Sequence, residues 1–406
     1  MDSIRDIYII GNGPSSSHTM GPCFATKFII DTYKDIKYVK VILYASLALT
    51  GKGHLTDYII DKTLSDANID HEIIFDLKTN VEHPNTMDFI ISFKDENKED
   101  IKETIISIGG GSISRNGNLI ETSSSKKDIY KEHTLTEILR FCSEFKISLY
   151  EYVVNHEGKD ILNYLNEVYD TMIQAIKRGI KKDGVLPGSL KVKRKAKTMF
   201  NSVHSVNSNI SEAELYASVA AFAVSEENAS GGVVVTAPTC GSSGVLPGVL
   251  SYLIEKGHQK QKLIECLAVA GLIGKLVKTN ASVSGAVSGC QAEIGVACAM
   301  GAAAIMHAYN ASNEKIEQAS EMALEHSLGL TCDPIKGYVQ IPCIERNSIF
   351  ALKAINAANI SLIIDKETNL ISFDDIVDTM YRTGKDIHEG YKETSTRGMS
   401  EIKRFN

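Results

Sequence analysis

The chain splits into two stretches of different local periodicity, and that split limits its possible folds more than any other feature. Up to residue 125, runs rich in Ile, Val, Phe and Tyr (39–49, 71–77, 89–93 and 104–108) alternate with runs of helical spacing (21–33 and 56–64). Beyond residue 135 strand-type runs almost vanish, and apolar residues recur at helical spacing over 136–145, 161–180, 211–228, 261–279, 291–309, 315–326 and 349–364. The pattern predicts an α+β protein, with a small N-terminal α/β domain over 1–125 and a larger, predominantly α-helical domain over 126–406. The Ser-, Asn- and Lys-rich stretch 114–131 reads as the exit loop or linker between them. Several later helices are rich in Ala and Gly, as in GVACAMGAAA (295–304), which predicts close packing and burial on most sides.

At 406 residues and 43% hydrophobic content the chain can bury a sizeable core. A net charge of −7 argues against nonspecific nucleic-acid binding, because affinity for phosphates rests on accumulated Lys and Arg. The uncharged run 231–254 is long enough to span a bilayer. Pro238, Pro247, Thr236 and Thr239 would leave backbone groups unpaired in lipid, so a buried turn between buried elements is expected and no membrane partner. Eight cysteines without a signal-peptide pattern predict a reducing, cytoplasmic compartment. Cys23, Cys142, Cys266 and Cys298 sit in apolar or helical contexts and read as small buried hydrophobes.

Of the remaining four, two lie in LTCDPIKGYVQIPCIERN (330–347), a mostly loop-like run that reads as a site. Cys332 and Cys343 stand eleven positions apart, and the turns expected at Pro334, Gly337 and Pro342 can fold both thiolates onto one metal centre. Cys290, in GCQAEIG (289–295), is the candidate third ligand, with flanking glycines that allow a bulky group to approach the backbone. Three thiolates on a four-iron, four-sulfur cluster leave one iron open as a Lewis acid, whereas the same thiols also suit a structural zinc ion. Arg346, three residues past Cys343, is placed either to bind a carboxylate beside the metal or to pair with a nearby acid.

Other stretches read less sharply. GPSSSHT (13–19) precedes an expected helix, so its backbone N–H groups and the hydroxyls of Ser15, Ser16, Ser17 and Thr19 can face an anion such as a substrate carboxylate; an N-cap with extra serines is the plainer reading. A serine–histidine nucleophile with His18 is disfavoured, because adjacency in sequence does not supply the geometry. His54, in TGKGHLTD after two glycines, sits on an expected exposed turn, as a proton-transfer group or a merely solvated imidazole. The run SIGGGSIS lacks the spacing of a phosphate-binding motif, and the basic run 185–195 reads as a solvated segment. No lysine stands where a pyridoxal phosphate enzyme would need one.

Taken together, GCQAEIGVAC, EHSLGLTCDP and VQIPCIERN resemble the iron-sulfur-dependent L-serine dehydratases (L-serine ammonia-lyases) of bacteria, in their single-chain form. The resemblance runs nearly end to end, through GPSSSHTMGP, TGKGHLTD, HPNTMDF, SIGGGS and VLPGSLKVKR. It implies a [4Fe-4S] cluster on Cys290, Cys332 and Cys343, a helical catalytic domain, and conversion of L-serine to pyruvate and ammonia in amino-acid degradation and gluconeogenesis. It further implies His54 as the base, with His18 as second choice, and Asn85 of HPNTM as a substrate contact. Lys392 and Arg397, in GKDIHEGYKETSTRG (384–398), would serve a substrate carboxylate or another subunit, and a homodimer is implied.

Three departures qualify the match. Cys240 stands in APTCGSSG where many members have Asn, which makes it a neighbour or an extra ligand of the cluster. The chain ends EIKRFN without the tail cysteine that many members use to cap the open iron, so a more exposed resting cluster is expected. The first domain is shorter than in some members, which leaves an effector role there open. Rival expectations are a dehydratase preferring L-threonine and a noncatalytic iron-sulfur serine sensor.

Overall fold

The structure is a computed structural model and describes residues 1–95, 97–109, 111–120 (of Leu119, the backbone), 128–205, 211–365 and 369–405. Among these, eight strands make two sheets: β1 (Ile10–Asn12), β2 (Ile36–Tyr44), β3 (Asp70–Asp76), β4 (Thr86–Phe93), β5 (Ile101–Gly109), β6 (Ser112–Arg115), β7 (Asn118–Ile120) and β8 (Val233–Val235). The larger sheet has the order β3-β2-β4-β5-β6-β7, and only its β2–β3 pair is parallel. A parallel pair needs a crossover, which Ala45–Thr50 and Thr56–Asp66 supply. Val39, Val41 and Leu43 of β2 are buried with Ile59, Ile60 and Leu64 of the crossover and with Ala25 and Ile29 of helix Gly21–Thr32, which gives this unit its own core.

The remainder is helical, as the periodicity predicts, so the protein is α+β. Its N-terminus belongs physically to the helical body: Ile4, Ile7 and Tyr8 are buried in the large helical core, and β1 pairs antiparallel with β8. The Tyr8 hydroxyl donates to the Leu267 carbonyl at 2.7 Å. Helix Ile294–Ala308 is buried along its whole length. Glycines set how closely its neighbours approach, since a Cβ at Gly301 would sit 3.0 Å from Ala354 and Val249. The segment Cys290–Ala308 is long and apolar enough to cross a bilayer, but 94% of it is buried inside the protein. The uncharged run 231–254 becomes β8, a buried turn and most of helix Val245–Glu255.

Several local expectations shift. The strand expected over 39–49 ends at Tyr44, where Ala45 takes φ +41° and the residues ASLALT continue as a helix. The expected linker 114–131 opens with the β6–β7 hairpin, whose Asn116–Gly117 turn has φ +51° and +77°, the Asn-Gly signature of such turns. Residues 121–127 of that linker lie outside the described residues. Helices Leu149–Glu157 and Phe373–Asp386 escaped the periodicity, although each starts with a capping box, Ser148 with Glu151 and Ser372 with Asp375. In the basic run 185–195, Arg194 is buried rather than solvated and joins Arg178 and Lys182 around the buried Glu227, because a buried carboxylate needs paired charge.

Candidate active site

A cavity opens where the sheet unit meets the helical body, and Cys290, Cys332 and Cys343 all line it. Each arrives by a different backbone device. Cys290 follows Gly289, whose φ of +72° and contact with the Leu330 carbonyl, 2.6 Å from where a Cβ would stand, exclude other residues. Cys332 is clamped by the C-terminal segment: its N–H donates to the Tyr391 carbonyl (2.8 Å) and its carbonyl accepts from Glu393 N–H (2.7 Å). Asp333 secures the same segment by accepting from Met399 N–H at 2.8 Å. Cys343 opens helix Cys343–Ile363, where the helix dipole favours a thiolate.

The thiols are held in their protonated form by burial first, and then by neighbouring acids and by one another. Arg346 is the only Lys or Arg among the lining residues; it opposes this at Cys290 and donates to the Thr331 carbonyl at 3.0 Å. Three soft donors facing one space, with a single resident cation, make a donor set that a thiophilic metal centre would fit. Cys332 Sγ has only the long contact to Glu293 Oε2, 3.9 Å, to exchange for it. Cys240 does not share this space: its thiol packs with Ile9, Met20, Val224 and Val234.

The opposite wall comes from the sheet unit. His54 Nδ1 lies 3.1 Å from the Thr50 carbonyl, which can only accept, so Nδ1 carries the proton and Nε2 is bare. That Nε2 is buried without a hydrogen-bond partner. Burial lowers the His54 pKa to about 4, against the pull of the Thr50 carbonyl. His18 packs against it with the rings tilted by 36° and their centroids 4.5 Å apart, its Nδ1 2.8 Å from Ser17 Oγ and its Nε2 2.9 Å from Ser46 Oγ. Burial, and then His54, hold the His18 pKa well below the usual histidine range. Glu393 Oε1 stands 3.6 Å from His54 Nε2 and 3.7 Å from His18 Nδ1, and burial followed by Glu293 pushes its carboxyl well above the ordinary range.

The structure therefore brings Ser15, His54, Arg346 and the three cysteines to one cavity. The other expected site residues lie around it rather than on it. Ser17 faces His18, Thr19 Oγ1 donates to the His54 carbonyl at 2.6 Å, and Ser16 is buried in the same turn. Asn85 is buried just before β4, with its Oδ1 unpartnered. Lys392 donates to Glu389 Oε1 at 3.1 Å, beside its bridge to Cys332, and the left-handed φ of +58° at Glu393 turns the chain there. Arg397 packs against Gly390. Three lining acids were not singled out from the sequence: Glu293, which accepts from Thr239 Oγ1 at 2.7 Å, Asp333 and Glu393. A glutamate between glycines in GCQAEIG was the one available signal for the first.

Comparison with known proteins finds two matched segments, whose boundary falls within the larger sheet rather than between it and the helical body. Residues 3–71 match the family model described as serine dehydratase beta chain, and residues 89–400 match serine dehydratase alpha chain. An L-serine dehydratase of Haemophilus influenzae is 37% identical, covering 98% of this chain and 99% of its own length. L-serine dehydratase 2 of Escherichia coli is 37% identical and an L-serine dehydratase of Helicobacter pylori 38%, each covering 98% of both chains. The chain belongs to the serine dehydratase family, with the beta-type and alpha-type parts joined in one polypeptide.

Proposed function

We propose that the chain is an L-serine ammonia-lyase that converts L-serine to pyruvate and ammonia, with a [4Fe-4S] cluster held by Cys290, Cys332 and Cys343. The observation that carries this reading is the meeting of three thiols, a bare imidazole nitrogen and a guanidinium in one cavity. The names of the relatives, L-serine dehydratase in each case, support it. A cluster so held supplies a Lewis acid at the iron without a protein ligand, which helps a hydroxyl group to leave.

The chain's own residues supply the rest. Arg346 and the Ser15 hydroxyl line the cavity and bind the substrate carboxylate. His54 Nε2 accepts the α-proton; with its pKa near 4 it is unprotonated and ready across the neutral range. The Thr50 carbonyl fixes its tautomer, and His18, held by Ser17 and Ser46, fixes its orientation. Loss of the α-proton and the hydroxyl leaves aminoacrylate, which tautomerises and hydrolyses to pyruvate and ammonia without further help. Ser16, Thr19, Asn85 and Lys392 support the walls rather than the substrate.

Anaerobic purification followed by iron and sulfide analysis and a pyruvate assay tests this. A brown protein that forms pyruvate from L-serine faster than it forms the keto acid from L-threonine is expected. A brown protein without turnover would replace the enzyme with a sensor, and zinc without sulfide would remove the cluster.

A further inference from the structure

Beside the three thiols the cavity holds a second donor set. Glu393 Oε1 is 3.6 Å from His54 Nε2 and 3.7 Å from His18 Nδ1, too far for hydrogen bonds. The three donor atoms all lie within 4.8 Å of one another, and all three residues are buried. Ligands of one tetrahedral zinc ion, at bonds of about 2.0–2.2 Å, stand roughly 3.3–3.6 Å apart, so small movements would close this set on an ion. The far nitrogens are already engaged as ligating histidines require, His54 Nδ1 on the Thr50 carbonyl (3.1 Å) and His18 Nε2 on Ser46 Oγ (2.9 Å). His54 Nε2 has no partner to give up, and His18 Nδ1 would give up only the Ser17 hydroxyl.

We propose that His18 Nδ1, His54 Nε2 and Glu393 Oε1 form a site for one zinc-class divalent cation, distinct from the cysteine site, and that filling it stops turnover. Two imidazoles and one carboxylate suit zinc or ferrous iron, whereas calcium and magnesium prefer all-oxygen shells. His54 and Glu393 line the cavity, so the ion enters by the substrate's route. The block follows from electron-pair accounting at one atom: the Nε2 lone pair that bonds the cation cannot accept a proton. This second half rests on the proposed role of His54; the site itself does not.

The test uses anaerobically isolated holoenzyme, its cysteine site filled, dialysed against Zn²⁺. Metal analysis is expected to find one zinc per chain beyond the iron. Zinc-edge X-ray absorption is expected to show nitrogen and oxygen neighbours at about 2.0–2.2 Å and no sulfur near ~2.3 Å. Glu393→Gln should weaken zinc binding at least about tenfold, and serine turnover should fall in proportion to bound zinc and return on chelation. Absence of bound zinc, or a sulfur shell, overturns the site. Zinc bound through nitrogen and oxygen with turnover untouched overturns the block and, separately, the choice of His54 as proton acceptor. The dialysis and absorption measurements decide the site even for a preparation that does not turn over serine.

Discussion

The cavity wall contributed by the helical body and the wall contributed by the sheet unit differ in how complete they are. Cys290, Cys332 and Cys343 are fixed by backbone devices, yet their thiols are desolvated and mutually unfavourable as anions, so this wall calls for a cation. His18 and His54 have hydroxyl or carbonyl partners at every ring nitrogen except His54 Nε2, so that wall is finished but for one lone pair. On the proposed function, holding a metal and moving a proton would fall to separate folding units, each with its own core. Glu393 spans the divide, with its main chain on Cys332 and its carboxylate toward both histidines.

Mutations on either side should fail in different ways. Cys343→Ser should lose both iron and pyruvate formation to background, measured by metal analysis and assay on one preparation. Turnover retained by that variant would break the comparison outright. His54→Ala should lower kcat by about 10²–10⁴-fold while iron content stays at the parent level. Loss of iron in this variant would mean that the two walls are not separable.

Two smaller effects test the body that carries the cysteines. A Cβ at Gly179 would lie 2.3 Å from the Ala223 carbonyl, so Gly179→Ala must push helix Asp160–Gly179 away from helix Glu212–Ala229. It should reduce stability in denaturant melts by about 1–3 kcal/mol with iron per folded chain unchanged. A pH dependence is expected at Glu321, whose pKa burial, and then Glu325, raise from 4.5 to about 8. The folded chain then binds more protons than the unfolded chain between those values, so this contribution is full below pH 4.5 and is lost as pH rises through 8. Glu321→Gln should melt higher than the parent above pH 8, with the gap closing as pH falls toward 4.5.

Legibility followed chemistry more than position. A cysteine in a proline-flanked loop is unusual enough to mark itself, and Cys332 and Cys343 were readable for that reason. Glu293 and Glu393 were not, because the sequence carries 50 acidic residues and only their place on the cavity wall in the folded chain marks these two. The hydroxyls of GPSSSHT were readable as a cluster, but not their division of labour: Ser15 reaches the cavity while Ser17 reaches His18. Lys392 reads from sequence as a ligand-binding cation, and the fold pairs it with Glu389 outside the cavity lining.

Sequence by itself determined the order of units, the helical character of the larger one and the residue types able to hold a metal, because periodicity and side-chain chemistry are local properties. Tertiary structure alone decided that three cysteines from separate segments face one space. It also decided that one imidazole nitrogen is left bare and that a C-terminal glutamate stands between two N-terminal histidines. The last of these joins residues hundreds of positions apart, and all of them depend on the burial that makes an unpartnered nitrogen or carboxylate reactive rather than merely wet.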